Sequence, residues 1–215
     1  MDWSFIARVI PLYWRSALFT AEIGSAGVVL SVVLGLACEF VEYFRVPILR
    51  KVVRAYVSVS RNTPLLIQLF FVYYGFPRIG LRMNAVACGI VGLSFLGGGY
   101  MAETFRSGME AIGVTQSESA LSLGLSEMQV ARFIILPQAL SVSVPGIIAN
   151  VIFLLKETSV FSAISLMDLM FTAKDLIGLY YNTVECLALL VVFYLLILLP
   201  VSLVGRVLEK RLRHV

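Results

Sequence analysis

Residues Thr115 to Pro137 read TQSESALSLGLSEMQVARFIILP, and their interpretation decides what the rest of the chain must be. This is the one polar passage of any length in a chain that is otherwise mostly apolar. Two helix starts can be read in it. Thr115 followed three residues later by Glu118 has the form of a capping box, and so has Ser126 followed by Gln129. Gly124 falls between them, where a left-handed C′ residue would end the first helix. The passage therefore predicts two short helices with a sharp elbow, held between hydrophobic spans. A compact, self-capped helix presented by a membrane protein to the aqueous side suits the docking of a soluble partner.

Composition supports the spans. Of 215 residues, 60% are hydrophobic and 14% charged, with mean hydropathy +0.93. Soluble domains are about half apolar and about a quarter charged. The expectation is an all-α integral membrane protein, one domain over residues 1–215, with about five spans of ~20 residues. The net charge of +4 fits basic residues on a cytoplasmic side better than nucleic-acid binding. Cys38, Cys88 and Cys186 lie in apolar surroundings without a C-x-x-C pattern and read as free core thiols. The acidic Asp2 and the lack of a basic n-region predict no cleaved signal peptide.

Along the chain, Trp3, Ile6, Ile10, Tyr13 and Ala17 recur near helical spacing. They suit either a helix lying in the membrane interface or an early extension of the first span. That span covers about 20–40. Its Gly27, Ser31 and Gly35 allow close approach of another helix, in a dimer or within the chain. A basic loop, 42–54, precedes a second span over about 55–74, which Pro64 should kink or interrupt. A turn with Pro77 and Gly80 leads to a third span, about 85–104, where Gly97-Gly98-Gly99 permits close contact or local unwinding. The fourth span, about 139–155, contains Pro145-Gly146 and Asn150. Residues 156–182 are mixed and predict a short or partly re-entrant helix. The last span, about 183–204, ends in a basic tail. The membrane core is thus about 20–205, with a polar loop at 105–137.

Counting Lys and Arg orients the chain. A cytoplasmic tail groups Arg45, Arg50, Lys51, Arg54, Arg61, Arg106, Arg132, Arg206, Lys210, Arg211 and Arg213 on one side. Only Arg8, Arg15, Arg78, Arg82, Lys156 and Lys174 fall on the other. The bias predicts a cytoplasmic C-terminus and an external N-terminus, with the double-capped passage inside.

No catalytic constellation is present. His214 is the only histidine, which excludes a His-based metal cluster or triad within this chain. No lysine follows a glycine, so there is no Walker A sequence. The chain is not expected to be an enzyme, and any ATPase activity belongs to a separate subunit.

The spacing Glu118-Ser119-Ala120, three residues, Gly124, nine residues, Ile134, one residue, Leu136-Pro137 resembles the EAA loop of bacterial ABC importer membrane subunits. Ser119 stands where the pattern has its first Ala. Further stretches resemble the polar amino acid uptake branch. They are Arg61-Asn62-Thr63-Pro64-Leu65-Leu66 with Gln68-Leu69-Phe70, and Gly99-Tyr100-Met101-Ala102-Glu103 leading to Arg106. Leu136-Pro137-Gln138-Ala139 and Lys156-Glu157-Thr158-Ser159 complete the set, and Asn62 replaces the usual Gly. The resemblance implies a type I importer permease in the bacterial inner membrane, dimeric with an identical or paralogous chain. It also implies two ATP-binding cassette subunits carrying ATP-Mg, an extracytoplasmic amino-acid-binding protein, and no cofactor on this chain.

On that resemblance Glu118, Ser119, Ala120 and Gly124 shape the ATPase-coupling surface; Glu118 can equally cap its own helix. A closing pair of ATPase subunits would push the helix as a lever. Ionisable groups at membrane depth mark a pathway or a partner. Glu22, Glu103, Glu157 and Glu185 are of this kind, unless they meet water at span ends. Gln68 and Asn150 either line a path or join helices. Asp168 either meets the ammonium of an amino acid or is a satisfied structural carboxylate. The candidate path is Glu22, Gln68, Glu103, Asn150 and Asp168. The rival classes are an ion-coupled secondary transporter, which usually shows two internal repeats and more spans, and a non-transporting membrane scaffold.

Overall fold

The computed structural model describes residues 1–212; the readings of Arg213 and His214 lie outside the described residues. In order the helices are α1 (Trp3–Tyr43), α2 (Leu49–Asn62), α3 (Leu65–Phe70), α4 (Ala85–Glu110) and α5 (Val114–Ser122). They continue as α6 (Glu127–Val130), α7 (Leu136–Glu157), α8 (Leu169–Tyr180) and α9 (Thr183–Leu212). No strand occurs among the described residues. Four helical stretches are long and apolar enough to cross a membrane, and a shorter apolar one runs over Leu65–Ile79. The expected second span, about 55–74, is divided between α2 and that shorter stretch.

The N-terminal residues do not form a separate interfacial helix. α1 is continuous through Pro11 for 41 residues, about twice the length needed to span a bilayer. The early extension is the arrangement found, and the reason is burial. Phe5, Val9, Tyr13 and Ala17 pack with α8 and the start of α9 as one apolar cluster, and the Tyr13 hydroxyl donates to the Cys186 carbonyl at 2.8 Å. Asp2 caps α1 by accepting from Phe5 N–H at 3.0 Å. The Ser4 hydroxyl and that N–H hold its carboxyl below the usual carboxylate range.

The most extensive contact is between α1 and α4. The stripe Gly27, Ser31 and Gly35 serves internal packing there. A Cβ on Gly27 would meet the Leu93 side chain, and one on Gly35 would lie 2.8 Å from the Ala102 backbone nitrogen. Gly97-Gly98-Gly99 stays helical. Successive residues turn about 100° around a helix, so the three open different sides of α4. Gly97 opens toward Ser31 and Leu154, Gly98 toward Leu34 and Tyr56, and Gly99 toward Ser60 and Arg61. α4 is thereby the axis on which α1, α2 and α7 close. The three cysteines are free and buried.

Two π-helical turns interrupt the ladder, at Phe71–Gly75 and Ala131–Ile135. Each is followed by one residue and then a proline, Phe76-Pro77 and Leu136-Pro137. A proline clashes with the carbonyl four residues back and cannot donate to it. The widened turn moves that carbonyl aside, and the intervening N–H bonds instead to the Phe71 or the Ala131 carbonyl.

Candidate functional site

The polar passage forms the predicted helix–elbow–helix, with one correction. α5 starts at Val114 with Gly113 as N-cap, and the Thr115–Glu118 capping box is not made. Only residues 111–113 connect α4 to α5, and Gly113 already has the extended cap conformation. Its carbonyl accepts Gln116 N–H at 3.0 Å, which puts Thr115 inside the first turn. The Ser126 box is present: Gln129 N–H reaches the Ser126 hydroxyl at 3.3 Å, and the Gln129 amide oxygen takes Ser126 N–H at 2.8 Å.

Gly124 has φ +85° and closes α5 as a Schellman motif. Gly124 N–H bonds the Leu121 carbonyl at 2.9 Å, and Leu125 N–H bonds the Ala120 carbonyl at 3.3 Å. Ala120, Val130 and Ile135 form a small core on which Tyr43, Met109, Ile112 and Leu125 pack. α5 is therefore fixed to the C-terminal ends of α1 and α4 and to the turn that leads into α7. Glu118 and Ser119 are exposed. So are four apolar side chains that sequence patterning did not single out: Val114 (71%), Leu121 (46%), Leu123 (82%) and Met128 (59%). Their signal was available, as apolar residues in and beside a polar segment that no core claims.

At the other candidate region α2 stops at Thr63 and Pro64, both extended, before α3 begins. A cavity of about 410 Å³ opens at this break, bordered by Arg61, Thr63, Pro64, Tyr100, Phe153 and Glu157. A second cleft of about 450 Å³ is bordered by Glu39, Glu42, Arg54, Arg61, Glu103 and Arg106. Arg61 and Asn62 border both. Between them Arg61 Nη1 lies 3.2 Å from Glu103, whose other oxygen pairs with Arg106. Arg106 also bonds Glu110 at 2.6 Å, and the Arg61 guanidinium sits 5.4 Å from the Tyr100 ring centroid. Glu42 joins α1 to α2 through Arg50 and Arg54, each at 2.7 Å. Each arginine named on this face is thus paired, whereas Glu39 at the edge of the cleft is buried and forms no ion pair among the described residues.

The five path candidates do not converge. Glu103 is in the ion-pair cluster, and Gln68 sits at the break. Asn150 lies on α7 and donates to Thr104 Oγ1 at 2.8 Å and to the Tyr100 carbonyl at 3.3 Å, joining α7 to α4. Asp168 is fully buried and caps α8, its two oxygens accepting Met170 and Phe171 N–H at 3.2 and 3.0 Å. Thr20 takes Leu169 N–H at 3.0 Å, so the first turn of α8 is satisfied within the chain. Glu22 is exposed on α1 and forms no ion pair among the described residues. Glu185 receives the Asp2 N–H at 3.0 Å. Glu157 is the acid that borders the cavity at the break.

Helices this apolar take lipid as their solvent, and cavities that interrupt them at polar residues give a solute somewhere to go. The class is a polytopic membrane permease. Residues 27–214 match the family described as "Binding-protein-dependent transport system inner membrane component", and the chain belongs to that family. It is 34% identical over 207 residues to the probable glutamine ABC transporter permease protein GlnP of Bacillus subtilis (strain 168), covering 94% of each chain. It is 32% identical over 214 residues to the glutamine transport system permease protein GlnP of Escherichia coli (strain K12), covering 99% of this chain and 98% of that one. Its structure matches an amino acid ABC transporter solved with histidines at TM-score 0.91 and 27% identity, covering 98% of this chain and 99% of that chain. The inward-facing MetNI methionine ABC transporter shares the fold at TM-score 0.75 and 19% identity, over 99% of each chain. The protein is a multi-pass permease subunit of an ABC importer, and systems of this family work with ATPase and binding-protein partners.

Proposed function

We propose that this subunit imports a polar amino acid or a close analogue. An extracytoplasmic binding protein delivers the solute, and the path forms with a second permease chain, identical or paralogous. Two ATP-binding cassette subunits, which hold the ATP-Mg, dock on α5 at Glu118 and Ser119, with Leu121, Leu123 and Met128 adding apolar contact, while buried Ala120 and left-handed Gly124 set the shape of that surface. The tail and α5 face the cytoplasm, and the N-terminus faces outside. The observation that carries this reading is a small helix with exposed apolar side chains on a packed, doubly capped mount. A push on such a mount reaches α4 and α7 as rigid movement.

The solute path runs from the cavity at the α2–α3 break, past the Arg61–Glu103 pair, into the inner cleft. Of the candidate set Glu103 borders the inner cleft, while Gln68 braces the break and Asn150 ties α7 to α4 at Tyr100; Glu157 faces the solute. Its carboxylate beside Tyr100 and Phe153 offers charge and ring faces to an ammonium group. Glu22 and Asp168 remain outside this route.

Reconstitution decides between classes. Proteoliposomes carrying this chain, its permease partner and the ATPase subunits should take up amino acid only when ATP is supplied with the binding protein. Uptake driven by an ion gradient with no ATPase subunit would overturn the proposal. In the same assay Glu157→Gln should raise the KM for amino acid about tenfold or more, the worth of one hydrogen bond to a charged group. An unchanged KM would remove Glu157 from the path.

A further inference from the structure

α2 ends because Pro64 cannot extend it. In an unbroken helix the Ser60 carbonyl accepts from the N–H of residue 64, and a proline has none. Ser60 is fully buried, so its carbonyl has no water to turn to. Gln68, in α3, reaches back across the break. Its Nε2 lies 2.9 Å from the Ser60 carbonyl, 3.0 Å from the Thr63 carbonyl and 2.8 Å from Thr63 Oγ1.

We propose that Gln68 is a positioning residue that stands in for the missing Pro64 N–H and fixes the break as a rigid border of the α2–α3 cavity. Its neighbours continue the pattern. Asn62 Nδ2 donates to the Ser58 carbonyl and Thr63 Oγ1 to the Val59 carbonyl, each at 2.8 Å. Three successive carbonyls, 58 to 60, are each met by a side chain of the Asn62–Gln68 segment. The Thr63 hydroxyl hydrogen is committed to Val59, so all three groups facing Gln68 are acceptors. Only its amide NH2 can point there. Its oxygen is turned away, buried and without a partner. Gly99 clamps the other side, where a Cβ would collide with the Ser60 hydroxyl. A loose hinge would leave these carbonyls to exchange partners. Here each is assigned.

This inference rests on the cavity being the solute path, and its test separates the two. In the purified complex with its ATPase subunits, Gln68→Met should lower Tm by about 5 °C, the effect of one unsatisfied buried carbonyl. Pro64→Ala in that background supplies an N–H at residue 64 and should recover most of the loss. Transport should behave differently. Gln68→Met should raise the uptake KM about tenfold, and the Pro64→Ala double variant should stay impaired as its stability returns, because a closed ladder removes the cavity border. Strictly additive Tm effects would overturn the substitution of Gln68 for the proline N–H. Full recovery of KM together with Tm would overturn the positioning role. The stability cycle is read without substrate, so a wild-type complex with no amino-acid uptake would strike the functional reading alone.

Discussion

Gly124→Val is expected to cut ATP-coupled uptake about tenfold or more, whereas Gly124→Asn should keep most of it. No atom lies within 4 Å of a Cβ built at this position, so space is not the obstacle. The obstacle is the backbone at φ +85°. A left-handed conformation costs an ordinary L-residue roughly 1–2 kcal/mol, more for a β-branched one, while Asn adopts it readily. If residue 124 leaves that region, both Schellman bonds open and Leu125 loses its seat on Ala120. α5 has nine residues and buries only Ala120, well below the ~12–15 residues at which an isolated helix sustains itself. Its shape therefore depends on its caps and its mount. Every 1.4 kcal/mol is a factor of ten in occupancy, which sets the expected loss. Uptake in proteoliposomes and copurification of the ATPase subunits measure it together. Wild-type values for the valine variant in both would count heavily against a lever built on α5.

The elements that could be read in the sequence are those whose cause is local. The left-handed Gly124 and the Ser126–Gln129 box depend on residues within one turn of each other, and both are present. The Thr115–Glu118 box had the same pattern and failed, because the length of the connection from α4, three residues away, decides where α5 begins. The continuity of α1 was undecidable locally. It depends on α8 and α9, more than 150 positions later, covering Phe5, Val9 and Tyr13. The interruption at Pro64 was legible, but Gln68's part in it was not. Its partner carbonyl is eight residues back, and no period in the sequence marks that distance. The π turns carried a signal that went unused, a proline two residues beyond each. Among the charged groups, composition could say that Glu103 needed a partner. Arg106, three residues on, is a local partner, and only the packing of α2 on α4 showed that Arg61 is the second.

Gly35→Leu should lower the Tm of the solubilised protein by roughly 5–10 °C, or prevent its accumulation. Overpacking a close helix contact costs about 1–3 kcal/mol and sometimes more, and a kcal/mol moves Tm by about 2–4 °C at this chain length. The upper end applies because the atoms in the way are main-chain. A Cβ on Gly35 would stand 2.8 Å from the Ala102 nitrogen and 2.9 Å from the Met101 carbonyl carbon. No rotamer change clears a backbone, so α1 and α4 must separate along the largest contact in the fold. Gly178→Ala is the matched control. It lies inside α8 with nothing within 4 Å of a Cβ, and should be neutral or gain about 0.5–1 kcal/mol through helix propensity. The pairing also tests which parts of the subunit move. If the Gly35 variant that survives transports with normal KM and normal ATP coupling, the α1–α4 seam is fixed framework and motion belongs to α2 and the α5 mount. If uptake disappears at unchanged Tm, the seam itself slides during transport, and the rigid axis assigned to α4 is wrong.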